Sequence, residues 1–288
     1  MRWEGRRQSE NVEDRRNVGQ QVVVGGGLLT LVIMIVLLFL GADPAQIAQL
    51  APDLGGPQAA PQAGADPADD EKVRFVKTVL ADTEDVWGEI FPRVFRGRYV
   101  PPTLVLFTGQ VRSACGFASA AAGPFYCPLD RKVYIDLAFY DELKRRFNAP
   151  GDFAEAYVIA HEIGHHVQNQ LGIADEVQRE RSRASEKESN ALSVRMELQA
   201  DFLAGVWARR MAALPAVVDE EDIREAVNAA QQIGDDRIQK RSQGYVVPDA
   251  FTHGSADQRA RWFIYGLKTE DPADIPDRMA RAFQVETP

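Results

Sequence analysis

Apolar residues recur at helical spacing between Asp69 and Phe95, at Val73, Val76, Val79, Leu80, Val86, Ile90 and Phe91. That spacing predicts a long or broken helix, which Pro101-Pro102 stops. Thr103–Phe107 is a short apolar run and reads as a strand, and Lys132–Asp136 alternates and reads as another. The segment from Cys115 to Cys127 is rich in small residues and bounded by Gly116, Gly123 and Pro124, which predicts turns with short strands. Helical patterns follow over Phe139–Phe147, Phe153–Leu171, Ala191–Met211, Val218–Ile233, Ser255–Leu267 and Asp274–Phe283. Arg179–Asn190 is charged and polar and predicts an exposed loop or frayed helix. Together these elements make an α+β fold, a mainly helical domain over residues 69–288 with a small antiparallel sheet.

The N-terminal quarter has a different pattern. Val22 to Leu40 is a 19-residue run without a charge. At about 1.5 Å per helical residue it just spans a hydrocarbon core and is long for a cleavable signal. The expectation is a retained transmembrane anchor over residues 21–41. Arg2, Arg6, Arg7, Arg15 and Arg16 precede it, and no Lys or Arg occurs from Gly41 to Glu71. The positive-inside rule then makes residues 1–20 a cytoplasmic segment and sends the domain to the extracytoplasmic side of a single-pass membrane protein. Residues 42–68, rich in Ala, Pro, Gly, Gln and Asp, read as a disordered linker.

Composition narrows the function. The chain has 288 residues and a net charge of −9. An acidic balance without a basic stripe argues against nucleic acid as a partner. The chain has two cysteines, Cys115 and Cys127, which read either as a disulfide closing a short loop or as two buried thiols.

The chemistry concentrates in Ala156–Gln168, which contains His161-Glu162-x-x-His165. On a helix, residues four apart share a face, so both imidazoles can address one ion. Glu162, at the edge of that face, suits a general base acting on a water that the metal activates. His166 lies five residues from His161 and turns away from the face. A catalytic zinc needs a third protein ligand and an open position. Glu197, in Met196-Glu197-Leu198-Gln199-Ala200-Asp201, is the strongest candidate. Asp201, one turn on, can hydrogen-bond the outer nitrogen of a ligand histidine.

His161-Glu162-x-x-His165 with a downstream Glu197-x-x-x-Asp201 resembles the gluzincin metallopeptidases. The chain is more closely similar to the neutral zinc metallopeptidase family. That likeness rests on the apolar N-terminal run with its Pro/Ala-rich tether, Ala114-Cys115-Gly116, Phe125-Tyr126-Cys127-Pro128, the His161–Gln168 motif, Glu197–Phe202 and Thr252-His253-Gly254-Ser255. The resemblance implies a zincin-like fold, Zn2+ as cofactor, and protein or peptide substrates. It also implies a histidine, tyrosine or arginine that donates to the tetrahedral intermediate; His253 and Arg259 are the candidates. Zinc peptidases commonly bind substrate along a sheet edge, for which Lys132–Asp136 is a candidate, an ordinary core strand being the other reading. Two other functions fit the residues: a non-catalytic envelope scaffold or chaperone with a structural metal, and a zinc hydrolase of non-peptide amides. A structural site would need a fourth protein ligand and would have no use for Glu162.

Overall fold

A computed structural model describes residues 1–16, 71–120, 123–285 and 288. Its central element is a helix, α3 (Asp152–Gln170), buried on nearly every side. Burial on nearly every side explains why its apolar residues are not confined to one stripe and why polar residues such as His161, Glu162, His166 and Gln168 are buried with them. A second long helix, α5 (Glu186–Ala212), crosses it. A capping box starts α5, with Ser185 and Glu188 each satisfying the other's backbone N–H. The polar stretch expected as a loop or frayed helix is therefore largely helical: α4 (Ile173–Arg181) and the first turn of α5 divide it.

Small residues bring the helices together. A Cβ at Gly164 of α3 would lie 2.9 Å from the Ala200 carbonyl oxygen of α5. The glycine therefore permits a backbone approach that alanine would resist. The same device joins α5 to α8 (Ala256–Leu267), and here it is reciprocal. A Cβ at Gly205 would fall 2.0 Å from the Phe263 carbonyl, and one at Gly266 would fall 2.0 Å from the Phe202 carbonyl. Around this axis pack α1 (Glu71–Ile90), which runs on into a π-helical turn at Phe91–Phe95, and α6 (Glu220–Gln232), capped by Asp219. Phe153 of α3 stacks on Trp207 of α5 with ring centroids 5.4 Å apart. The remaining helices are α2 (Ala138–Arg145), α7 (Asp235–Gln243) and α9 (Ile275–Ala280).

The sheet corrects the expected antiparallel arrangement. Its order is β1 (Val12–Asp14), β2 (Thr103–Phe107), β6 (Lys132–Asp136), β5 (Phe125–Cys127). The first two pairings are parallel and only β5–β6 is antiparallel. A separate antiparallel hairpin, β3 (Gln110–Ser113) with β4 (Gly116–Ser119), fills the connection between β2 and β5. Alternate residues of the sheet serve two cores. Leu104, Leu106, Val133 and Ile135 face the helices. Val105, Phe107 and Tyr134 join Val111 and Cys127 in a smaller cluster with the hairpin. Lys132–Asp136 is therefore an inner strand, the alternative reading of that segment, and β5 is the edge beside α3. Cys115 and Cys127 form a disulfide with a Cα separation of 5.8 Å, tying the hairpin turn to β5.

The expected membrane topology is corrected. Among the described residues no helix is long and apolar enough to cross a membrane. The apolar run 22–40 and the linker 42–68 lie outside the described residues. Residues 1–16, expected on the far side of a bilayer, are instead part of the domain. Val12 pairs with Leu104 in the parallel β1–β2 ladder, and the Arg2 amide bonds the Val217 carbonyl at 2.9 Å. Arg6 pairs with Asp82 at 2.8 Å, and Arg7 with Glu84 and Asp85 at 2.9 and 2.8 Å. A single crossing between residues 22 and 40 would put β1 and β2 on opposite sides of a membrane, which one hydrogen-bonded ladder forbids.

Candidate metal centre

Helix α3 places His161 and His165 one turn apart, with ring centroids 4.9 Å from each other. The outer nitrogen of each ring is engaged. His161 Nδ1 lies 2.8 Å from Asp201 Oδ1, and His165 Nδ1 lies 2.9 Å from Gln168 Oε1. With each Nδ1 turned to its outer partner, Nε2 is the nitrogen that each ring presents to the group. Those Nε2 atoms lie 3.1 and 3.3 Å from the two carboxylate oxygens of Glu197. The close approach at Gly164 is what lets α5 carry Glu197 to this position. One ligand atom from each of His161, His165 and Glu197 falls within 4.8 Å of the others, a group that could hold a metal ion. Two imidazoles and a carboxylate are a donor set suited to zinc. Among the described residues no fourth His, Cys, Asp or Glu joins them.

The outer partners are themselves held. Asp201, fully buried, accepts from the Tyr157 hydroxyl and from Arg259, whose Nε and Nη2 lie 2.9 and 3.1 Å from its two oxygens. Gln168 Nε2 donates to the Met196 carbonyl at 2.8 Å and to Gln199 Oε1 at 2.9 Å. Gln199 in turn donates to the Met279 carbonyl of α9 at 3.1 Å. The sequence pointed to Asp201 but not to Gln168, Gln199 or Tyr157. Their signal was a polar position on an otherwise buried helix, which needs a partner.

Arg259, the other candidate donor to the reaction intermediate, is buried against Asp201 and Tyr157. His253 stands apart from the three-residue group. Its side chain is 53% exposed, and its Nδ1 is 3.1 Å from Asp235 Oδ1. His166 also stays outside. Its Nε2 donates to the Val100 carbonyl at 2.7 Å, and its Nδ1 accepts from Tyr126 of β5 at 3.0 Å. Burial pushes its pKa down to about 4, so it stays neutral. Glu162 is 8% exposed, and among the described residues its carboxylate has no hydrogen-bond or ion-pair partner.

Charge makes the group a cation site. Burial alone would depress the His161 pKa, but Asp201 and Glu197 overcome it and raise the value to about 10. His165 is raised as well, Glu197 outweighing burial. Glu197 is held well below the usual carboxylate range, because the two histidines outweigh its burial. Metal-free protein therefore carries a proton on His161 at any pH below about 10. An ion can enter only by displacing it. Zinc binding at neutral pH should thus release protons, and affinity should rise with pH. Calorimetry of zinc uptake in buffers of different ionisation enthalpy measures the release; a heat independent of buffer would contradict it.

Two histidines from α3, a glutamate from α5 and an unengaged glutamate between the histidines define the zinc-peptidase class of centre. Comparison with known families agrees with the residues. The chain belongs to the family described as "Putative neutral zinc metallopeptidase", which matches residues 1–277. Zinc is the metal of that family. The chain is similar to the Escherichia coli (strain K12) "Uncharacterized protein YpfJ", at 46% identity over 285 residues, 95% of this chain and 97% of that protein. It is also similar to "Uncharacterized protein Rv2575" of Mycobacterium tuberculosis (strain ATCC 25618 / H37Rv), at 41% identity over 213 residues, 69% of each. No solved structure matches the chain.

Proposed function

We propose that this chain is a zinc-dependent peptidase in which His161, His165 and Glu197 hold the metal and Glu162 is the general base. The observation that carries the proposal is the state of Glu162. The other side chains of the centre are engaged, whereas this carboxylate sits beside the ligand group with no partner. A carboxylate that reaches solvent beside the ligand group without being tied into it suits a proton acceptor better than a structural member. The lack of a fourth ligand among the described residues also favours a catalytic over a structural centre. When bound, zinc supplies Lewis acidity that polarises a carbonyl and acidifies a water. Glu162 takes the proton of the attacking water and delivers it to the leaving amine. His253 donates to the oxyanion that forms on the former carbonyl oxygen. The edge strand β5, held to α3 through Tyr126 and His166, receives the substrate backbone as an added strand.

The test is hydrolysis of a mixed peptide library by the full chain before chelation, after chelation and after zinc is returned. Cleavage should vanish with the metal and return with it. Zinc-loaded protein that cleaves no peptide would favour the scaffold reading; cleavage indifferent to chelator would dismiss the metal mechanism.

A further inference from the structure

The two histidines of the metal centre are backed by different chemistry. A carboxylate, Asp201, stands behind His161 at 2.8 Å, whereas an amide, Gln168, stands behind His165 at 2.9 Å. Gln168 is fully buried and Gln199 nearly so. The groups around Gln168 fix which way its amide points. Its nitrogen faces the Met196 carbonyl at 2.8 Å, and a carbonyl can only accept. Its oxygen is therefore the atom that faces His165. Nδ1 of that ring must then carry a hydrogen, and Nε2 is the atom a metal would take. The Gln168 nitrogen also donates to Gln199 Oε1 at 2.9 Å, which leaves the Gln199 nitrogen to donate to the Met279 carbonyl at 3.1 Å. One directional chain thus runs from His165 through Gln168, both on α3, to Gln199 on α5 and on to Met279 of α9, eighty residues beyond Gln199.

The chain requires amides. A glutamate at 168 would accept from His165 equally well, but it would set its other oxygen against the Met196 carbonyl and Gln199 Oε1, two further acceptors. An amide accepts at one end and donates at the other, so it can pass orientation along. We propose that Gln199 is a positioning residue for the metal centre: it holds the Gln168 amide in the orientation that His165 needs, and it makes the docking of α9 and the affinity for the ion depend on each other. This rests on His165 being a metal ligand, as in the zinc-peptidase reading above. Among the described residues the Gln199 amide bonds Gln168 and Met279 and no member of the ligand group, so its effect on the ion passes through Gln168. The coupling is reciprocal: whatever α9 adds to ion binding, the ion adds to the docking of α9.

The experiment uses the full chain with zinc alone as the probe. Gln199→Met is close in size and loses both hydrogen bonds. Gln168 Nε2 keeps the Met196 carbonyl, and the Met279 carbonyl keeps the Arg281 N–H, so the fold should hold. Zinc affinity, measured by competition with a chelator, should fall roughly 2–10-fold, the net worth of one hydrogen bond. Gln168→Met removes the direct partner of His165 and should cost about 10–100-fold. The double variant should bind no more weakly than Gln168→Met alone. Hydrogen exchange reads the coupling from the other end. Zinc should slow the backbone amides of α9 in the parent, and that effect should be lost in Gln199→Met at equal zinc occupancy. A glutamine that only filled space would not tie α9 exchange to zinc. Parental zinc affinity in Gln199→Met, or α9 exchange indifferent to zinc in the parent, overturns the proposal, and the parent measurement decides even where a variant folds poorly. A parent that binds no zinc would sink the metal reading and this proposal with it. A parent that binds zinc but cleaves no peptide would sink the peptidase reading alone, and affinity and exchange would still decide the role of Gln199.

Discussion

Glu162→Gln should bind zinc like the parent and hydrolyse peptides roughly 10²–10⁴-fold more slowly, the range supplied by one general base. The amide has the shape of the carboxylate, and Glu162 makes no hydrogen bond among the described residues that the change would break. Neither packing nor the His161, His165 and Glu197 group should notice it. Only the ability to take a proton is lost. The measurement is kcat/KM beside zinc stoichiometry on the same preparation. Turnover near the parental value would sink the assigned role, and loss of zinc would mean that Glu162 is a ligand.

Glu197→Ala and Asp201→Ala should fail in different ways, although the two residues sit one turn apart on one helix. Glu197→Ala removes the carboxylate whose two oxygens face both Nε2 atoms. Two histidines remain, and stoichiometric zinc should be lost in competition with a chelator. The fold should survive, because Glu197 lines the site and is not part of the apolar core. Asp201→Ala leaves the three ligands and frees His161 Nδ1, which should cost about 10–100-fold in zinc affinity or activity. It also strands Arg259, a buried cation whose carboxylate partner is Asp201. Removing one member of a buried ion pair costs about 3–5 kcal/mol. Asp201→Ala should therefore melt well below Glu197→Ala in thermal denaturation by circular dichroism. Parental zinc affinity in Glu197→Ala would move the third ligand elsewhere.

The metal helix and its partner were legible because their information is local. His161 and His165 are related by one turn, and so are Glu197 and Asp201, and a buried helix leaves few other uses for such groups. That Gln168 and Gln199 stand behind His165 was less legible, since a glutamine on a helix is ordinarily solvated and only the packing of α5 and α9 buries these two and gives them partners. Helix α7 escaped notice for a simpler reason. Asp235–Gln243 has one apolar residue, Ile238, so no periodic signal exists. Its N-terminal aspartate earns its place from a loop seventeen to nineteen residues away. The first sixteen residues misled most. Their arginines read as a topology signal, but Arg6 and Arg7 answer acidic groups of α1, and Arg16 answers Asp14. A three-residue strand whose partner lies beyond residue 100 carries no period that a local reading can detect.

That strand also sets an order of events during synthesis. Residues 12–14 leave the ribosome long before β2 exists, and they wait unpartnered until residues 103–107 follow. The intervening loop must then close at an entropic cost that grows with the logarithm of its length. Until it closes, β2 presents a bare parallel edge, the kind of surface on which nascent chains aggregate. Residues made well before β2 are thus the ones that cover its edge, and the vulnerable interval lasts as long as that return takes.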